Sequence, residues 1–208
     1  QLGDLDAAAA ALRVAADLDP ASASARNNLG NVLVRLDDLE GAAVAFRTAI
    51  ELEPGLASAH DNLGAVLFEL GDLNAAATSF QAALAVDPHL ADAHTHLGQL
   101  LRDRGDFGSA ADAFREALKV DPAQAAVHCD LGLALRMMGD LEGAIGSFGT
   151  ALDLDPDNPE MRSTYDELLK ERKSRSGRKP GAATAAARPV RSLGVDYSRF
   201  DGIDSDTD

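Results

Sequence analysis

One spacing dominates this sequence, because several residue types recur every 34 residues in fixed phase. A period of this length predicts a stack of identical small units, none of which can bury its apolar face alone. We therefore expect an extended surface that holds other molecules. The periodic residues include Pro20, Pro54, Pro88, Pro122 and Pro156, then Gly30, Gly64, Gly98 and Gly132, and Phe46, Phe80, Phe114 and Phe148.

Each unit reads as two helices joined by a tight turn, and residues 57–90 show the pattern. Gly71 is expected to end the first helix, since a left-handed backbone costs glycine nothing, and Asp72 to cap the second. Pro88 closes the second helix, because the residue before proline is pushed out of helical space. A turn this short forces the two helices into an antiparallel hairpin. The first helix carries its apolar stripe at Ala59, Leu63, Val66, Leu67 and Leu70.

This unit resembles the tetratricopeptide repeat (TPR) family. The resemblance implies an all-α fold, a right-handed superhelical solenoid of helix hairpins. It also implies a non-enzymatic scaffold that binds a partner peptide or protein in its concave groove. The small Gly64 and Ala76 should let two helices approach closely, with Phe80 beside them. The resemblance rests on Leu63, Gly64, Leu67, Gly71, Ala76, Phe80, Ala83 and Pro88.

The period divides the chain into units. Residues 1–22 match the second half of an earlier repeat, and a polar helix at about 159–173 is predicted to cap the stack. Residues 174–208 hold too little apolar material to offset chain entropy, so we predict a disordered tail, basic and then acidic. The four full repeats are 23–56, 57–90, 91–124 and 125–158.

Two departures from the family pattern stand out. Asp37 replaces the turn glycine, and aspartate tolerates a left-handed backbone better than most residues. The family usually has a large aromatic residue at the fourth position of a repeat. Here that position holds Arg26, His60, His94 and His128, and we expect the histidines to pack between helices.

Composition narrows the possible partners and compartments. The formal net charge of −15 argues against nucleic acid as a partner of the stack. The only cysteine, Cys129, excludes a disulfide framework and favours a reducing compartment. We expect the cytoplasm, with the nucleus as the alternative, and no membrane span. The chain begins at Gln1 within a repeat, so we also expect a fragment of a longer protein.

No pattern indicates catalysis, a cofactor or a metal. The aligned histidines are about one repeat, roughly 10 Å, apart, too far for two of them to share one zinc ion. Gly143, Gly146 and Gly149 lack the lysine and the strand–turn context of a phosphate loop, so they indicate a locally weakened helix. We predict a protein without enzyme activity.

The resemblance implies that first helices line the concave groove. In the first two repeats the predicted groove is rich in asparagine, which is similar to the asparagine ladder of O-GlcNAc transferase repeats. An amide both donates and accepts, so it can pair with any peptide bond. Two arginines further along could pair with acidic partner side chains. The predicted groove residues are Asn27, Asn28, Asn31, Asn62, Arg102 and Arg136.

Two alternative functions remain open. One is a substrate-recruiting fragment of an O-GlcNAc transferase-like glycosyltransferase, which a catalytic domain in the full-length chain would decide. A carboxylate clamp for heat-shock chaperones is rejected, because Asn31 and Asn62 lack the family's accompanying cations.

The other alternative is a chaperone cofactor that acts through the tail. The segment around Tyr197, Phe200 and Ile203 resembles the opening segment of the kinase-targeting heat-shock co-chaperone. That family has tryptophan where Phe200 stands, and has the segment at its N-terminus. Ser205 lies among acidic residues, as a site for an acid-directed kinase would.

Overall fold

The computed structural model describes residues 2–176, with side chains from Asp4 onward. The described residues form ten α-helices and no strand, so the predicted all-α stack of helical hairpins is confirmed. The helices are α1 (Leu2–Leu18), α2 (Ala23–Arg35), α3 (Leu39–Leu52), α4 (Ala57–Glu69), α5 (Leu73–Val86), α6 (Ala91–Asp103), α7 (Phe107–Val120), α8 (Ala125–Met137), α9 (Leu141–Leu154) and α10 (Pro159–Ser176).

The last helix is longer than the sequence predicts. Helix α10 continues to Ser176, so residues 174–176, assigned to the disordered tail, are helical. Arg175 donates to the carboxylate of Glu171 at 2.7 Å, four residues earlier. Lys173 and Arg175 also lie in the last turn, where a cation favours the helix dipole. The rest of the predicted tail lies outside the described residues.

Aspartate caps and left-handed turns define each hairpin. The second helices of the full repeats begin after an aspartate whose carboxylate accepts from the backbone N–H three residues on. In the second repeat, Ala75 N donates to Asp72 at 3.1 Å. The preceding turn uses glycine at Gly71, with φ of 83°. Asp37 takes the same left-handed conformation at φ 62°, which confirms that it stands in for the turn glycine. The capping aspartates are Asp38, Asp72, Asp106 and Asp140.

Close packing inside each repeat depends on a glycine facing a phenylalanine. A Cβ atom on Gly64 would lie 2.5 Å from Cε1 of Phe80, a distance that no real contact tolerates. Phe80 itself is fully buried, at 0% exposure. Gly30 stands in the same relation to Phe46. The periodic glycines are therefore needed for space, since any side chain would push the hairpin apart.

The helices form an inner and an outer row. We call α2, α4, α6 and α8 the first helices, and α3, α5, α7 and α9 the second helices. Successive first helices contact one another, whereas successive second helices meet at most marginally. The row whose members lie closer together is on the inner side of a curved stack, so the first helices line the concave face.

The fourth-position histidines hydrogen bond to the turn before them. Each Nε2–H donates to the carbonyl oxygen of the proline six residues earlier, and each side chain is partly buried. Arg162 of α10 donates to Pro156 O at 2.8 Å in the same way. The fourth position of a repeat is expected to pack between helices. Its side chain also hydrogen bonds a first helix to the turn that precedes it. The pairs are His60–Pro54 at 2.9 Å, His94–Pro88 at 2.9 Å and His128–Pro122 at 3.0 Å.

Candidate functional site

The amide-rich end of the concave face is formed by α2 and α4. Nδ2 of Asn62 donates to Oδ1 of Asn27 at 3.1 Å, and both side chains are partly buried. Asn28 and Asn31 are exposed on α2. The bond between Asn27 and Asn62 uses neither the Nδ2 hydrogens of Asn27 nor Oδ1 of Asn62. Asn27 can therefore still donate, and Asn62 can still accept. A peptide bond offers the matching acceptor and donor.

A second bridge joins α4 to α6. Nδ1–H of His96 donates to Asp61 at 2.9 Å, and Asp61 is only 5% exposed. The imidazole also stacks on Phe80, with ring centroids 5.5 Å apart. Burial lowers the pKa of His96, but the hydrogen bond and charge of Asp61, aided by Asp92, outweigh it and raise the pKa above the ordinary value. The bridge therefore favours an imidazolium beside a carboxylate.

A third bridge joins α6 to α8 and uses one of the predicted groove cations. The guanidinium of Arg102 donates to Asp130, and Gln99 Nε2 donates to the other carboxylate oxygen at 3.1 Å. Arg102 is thus held by a partner 28 residues further along the chain, which sequence reasoning did not foresee. Arg136 is exposed, and its nearest carboxylate, Glu167 on α10, is 3.8 Å away. Of these two arginines, Arg136 is the more available to a ligand.

Between α8 and α10 the one ion pair within the described residues is the 3.8 Å contact of Arg136 with Glu167, and a cleft of about 290 Å³ opens between the two helices. Cys129 and Thr164 occupy the positions that hold Asp61 and His96 earlier, and neither bridges to the other in the described residues. We call this space the α8–α10 cleft. Its lining is mixed: the apolar residues are Ala126, Cys129, Leu133, Phe148 and Met161, and the polar ones are Asp130, Asn158, Glu160 and Thr164.

Sequence reasoning missed this cleft, although a signal was present. Leu133 and Met137 stand at groove-facing positions of α8, and their exposure is 38% and 62%. The cleft does not indicate thiol chemistry. Burial, followed by the charges of Asp130 and Asp155, raises the pKa of Cys129 to about 11. A thiol with that pKa stays protonated at neutral pH and is a poor nucleophile.

Other predicted features lie elsewhere or outside the described residues. Tyr197, Phe200, Ile203 and Ser205 belong to the part of the chain that the structure does not describe. Within residues 2–176, no three His, Cys, Asp or Glu side chains converge as a metal ion would require. No helix in that range combines the length and apolar character needed to cross a bilayer.

Several solved structures are similar to this chain, and two of them are described as TPR proteins. The crystal structure of MamA is 24% identical, with a TM-score of 0.67, over 78% of this chain and 93% of that one. YrrB, a TPR protein with an unusual peptide-binding site, is 24% identical, with a TM-score of 0.63, over 82% and 84%. TTC0263, a thermophilic TPR protein of Thermus thermophilus, is 22% identical, with a TM-score of 0.65, over 81% and 92%.

Family models match in an overlapping series. A TPR repeat model matches residues 1–37 and 30–71, and two tetratricopeptide repeat models match residues 55–123 and 96–159. No curated protein matches the sequence. The matched segments follow one another without a gap from residue 1 to residue 159, across the hairpins described above. The chain belongs to the tetratricopeptide repeat family.

Proposed function

We propose that this chain is a non-enzymatic scaffold that binds an extended peptide, or an extended segment of a partner protein, along the concave face of its first helices. The observation that carries the proposal is the amide group formed by Asn27, Asn28, Asn31 and Asn62. Two of these amides are fixed by a hydrogen bond of 3.1 Å, and the other two are exposed. Fixed amides lose little conformational entropy when they bind a backbone.

The rest of the concave face supports the same function. The Asp61–His96 and Arg102–Asp130 bridges hold neighbouring first helices together. A surface braced in this way keeps its shape when the ligand arrives. Arg136 supplies an exposed cation beyond the bridges, for an acidic side chain of the partner. The similarity to YrrB, which has a peptide-binding site, supports a peptide as the ligand class.

The test uses a defined peptide. Twelve-residue peptides displayed on phage are selected on the full chain, and the Kd of the most enriched peptide is measured by fluorescence polarisation. Replacing Asn27, Asn31 and Asn62 together by alanine should weaken binding at least about tenfold, since each lost hydrogen bond contributes about 0.5–1.5 kcal/mol. Changing Asn27 and Asn62 together avoids leaving one partly buried amide without its partner.

The matched control is Gln81→Ala, which removes an exposed amide from the second helix α5. This variant should bind the selected peptide with the wild-type Kd. Helical content should be the same for all three proteins, and the triple variant should melt well above the assay temperature although it lacks the bond between Asn27 and Asn62. An unchanged Kd in the triple variant would show that the peptide binds elsewhere on the stack, and the proposed groove would be wrong.

A further inference from the structure

The α8–α10 cleft differs from the corresponding spaces between earlier first helices. Those spaces are closed by side-chain bridges: Asn27 with Asn62, and Asp61 with His96. Between α6 and α8, Asp130 accepts from Gln99 and Arg102. Helices α8 and α10 also meet at most marginally, whereas the three preceding pairs of first helices contact one another. At the cleft, the groove therefore differs from its earlier part in two ways: the lining side chains are different, and the two helices pack less closely.

The cleft is suited to an apolar side chain. Its apolar lining includes Phe148, which is 3% exposed, together with Met161 and Leu133. Methionine adapts its shape to a ligand, because its side chain is unbranched and flexible. A volume of about 290 Å³ accommodates one aliphatic side chain with its backbone. Binding of an aliphatic side chain against these apolar residues is favourable mainly because it removes apolar surface from water.

The negative charge beside the cleft favours a particular residue next to the aliphatic one in the bound peptide. Asp130 is already occupied by Arg102 and Gln99. Glu160 lines the cleft from the first turn of α10, is exposed, and forms no ion pair within the described residues. The chain as a whole has a formal net charge of −15. A basic residue next to the aliphatic one would meet Glu160 and the general negative potential of the stack.

We infer that the α8–α10 cleft is an anchor subsite for an aliphatic side chain of a bound peptide whose adjacent residue is lysine or arginine. The inference deepens the proposed function, since the anchored residue belongs to a peptide that continues along the amide-rich groove. Amides Asn27, Asn31 and Asn62 hold the backbone at one end of the groove without regard to sequence. The cleft selects a sequence at the other end.

The experiment uses dipeptide probes that are too short to reach the asparagines. The full chain is labelled with ¹³C at its methionine methyl groups, which gives three signals. Met161 lines the cleft, and Met138 at the end of α8 is the internal reference. The probes are N-acetyl-leucyl-lysine amide, its alanyl-lysine counterpart and its leucyl-glutamate counterpart.

Leucyl-lysine should shift the Met161 signal saturably and leave Met138 in place. The alanyl probe should bind at least about fivefold more weakly, because it buries less apolar surface. The leucyl-glutamate probe should bind roughly two- to fivefold more weakly, as expected for one exposed ion pair. Glu160→Lys should reverse the preference between the lysine and glutamate probes. Asp166→Lys, the same charge change at an exposed site of α10 outside the cleft, should not reverse it.

Three results would overturn the inference: no saturable shift of Met161, equal binding of the leucyl and alanyl probes, or reversal by Asp166→Lys. The variant with alanine at Asn27, Asn31 and Asn62 separates this inference from the proposed function. Its Met161 should respond to leucyl-lysine as the wild type does. If that variant keeps its affinity for the selected long peptide, the proposed groove fails and the cleft stands. If it loses that affinity but Met161 never responds, the cleft fails alone.

Discussion

Nδ1 of His96 lies 2.9 Å from the carboxylate of Asp61, across the boundary between the second and third full repeats. Asp61 is the only charged residue within residues 4–176 that is buried. A buried carboxylate is stable only when a partner offsets its lost hydration. His96 is thus a structural partner of Asp61 as well as a groove residue, and its protonation links repeat packing to pH.

The first prediction concerns that pH dependence. Because the pKa of His96 is raised in the folded chain, the histidine contributes stability that is fully present below the unfolded pKa of about 6.5 and is lost as pH rises through the folded pKa. The difference in unfolding free energy between wild type and His96→Asn should therefore shrink as pH rises from 5.5 to 9. Urea unfolding followed by circular dichroism measures it.

His89→Asn is the control, because His89 is exposed in a loop. Its difference from wild type should stay nearly constant over the same pH range. A His96→Asn difference that grows with pH would contradict the expected sign. A constant difference would mean that the contribution of His96 to stability does not depend on its charge.

The second prediction concerns the close approach of Gly64 and Phe80. Phe80→Ala should destabilise the chain by roughly 3–5 kcal/mol, as a large-to-small change at a fully buried site. Gly64→Ala should also destabilise it, since the new Cβ would meet the ring. In the Phe80→Ala background the ring is gone, so Gly64→Ala should cost much less. A double-mutant cycle measures this coupling, and additive effects would contradict it.

Hydrogen exchange of the Phe80→Ala variant shows which helices lose amide protection. Each repeat contacts mainly its neighbours, so protection should fall most in α4, α5 and the flanking helices. Exchange in α9 and α10 should change least. Equal loss of protection in every described helix would show that the stack unfolds as one cooperative unit.

The third prediction concerns the glycines of α9. A Cβ on Gly146 would meet nothing within 4 Å, and the residue is exposed in the middle of the helix. Gly146→Ala should therefore stabilise the chain by about 0.5–1 kcal/mol, through helix propensity alone. Gly143 is different, because a Cβ there would lie 2.4 Å from the capping carboxylate of Asp140.

Gly143→Ala is the matched comparison within the same helix. It adds the same methyl group but disturbs the cap of α9, so it should give little or no gain in melting temperature. Thermal unfolding of the two variants side by side measures the contrast. An equal gain from both substitutions would mean that the Asp140 cap contributes nothing to stability.

The sequence predicts those structural features that depend on residues close together within one repeat. Asp72, Gly71 and Pro88 act on adjacent backbone, so their roles follow from local chemistry. The facing of Gly64 and Phe80 follows from the period and the family resemblance. The groove depends instead on residues in different repeats. Arg102 looks like a free cation until the fold places Asp130 beside it. The α8–α10 cleft lies where Cys129 and Thr164 replace the bridging pair of earlier repeats, and the local signal for it was limited to an apolar residue, Leu133, at a groove-facing position.

The bridges between first helices also make the repeats unequal. All four full repeats share one hairpin shape, and by shape alone they could exchange places. Their polar contacts forbid it. If residues 57–90 and 91–124 were transposed, Asp61 would face Asp130, and two carboxylates would meet where Asp61 now meets an imidazole. The same transposition would separate Arg102 from Asp130. The side chains along the concave face thus encode the serial order of the modules.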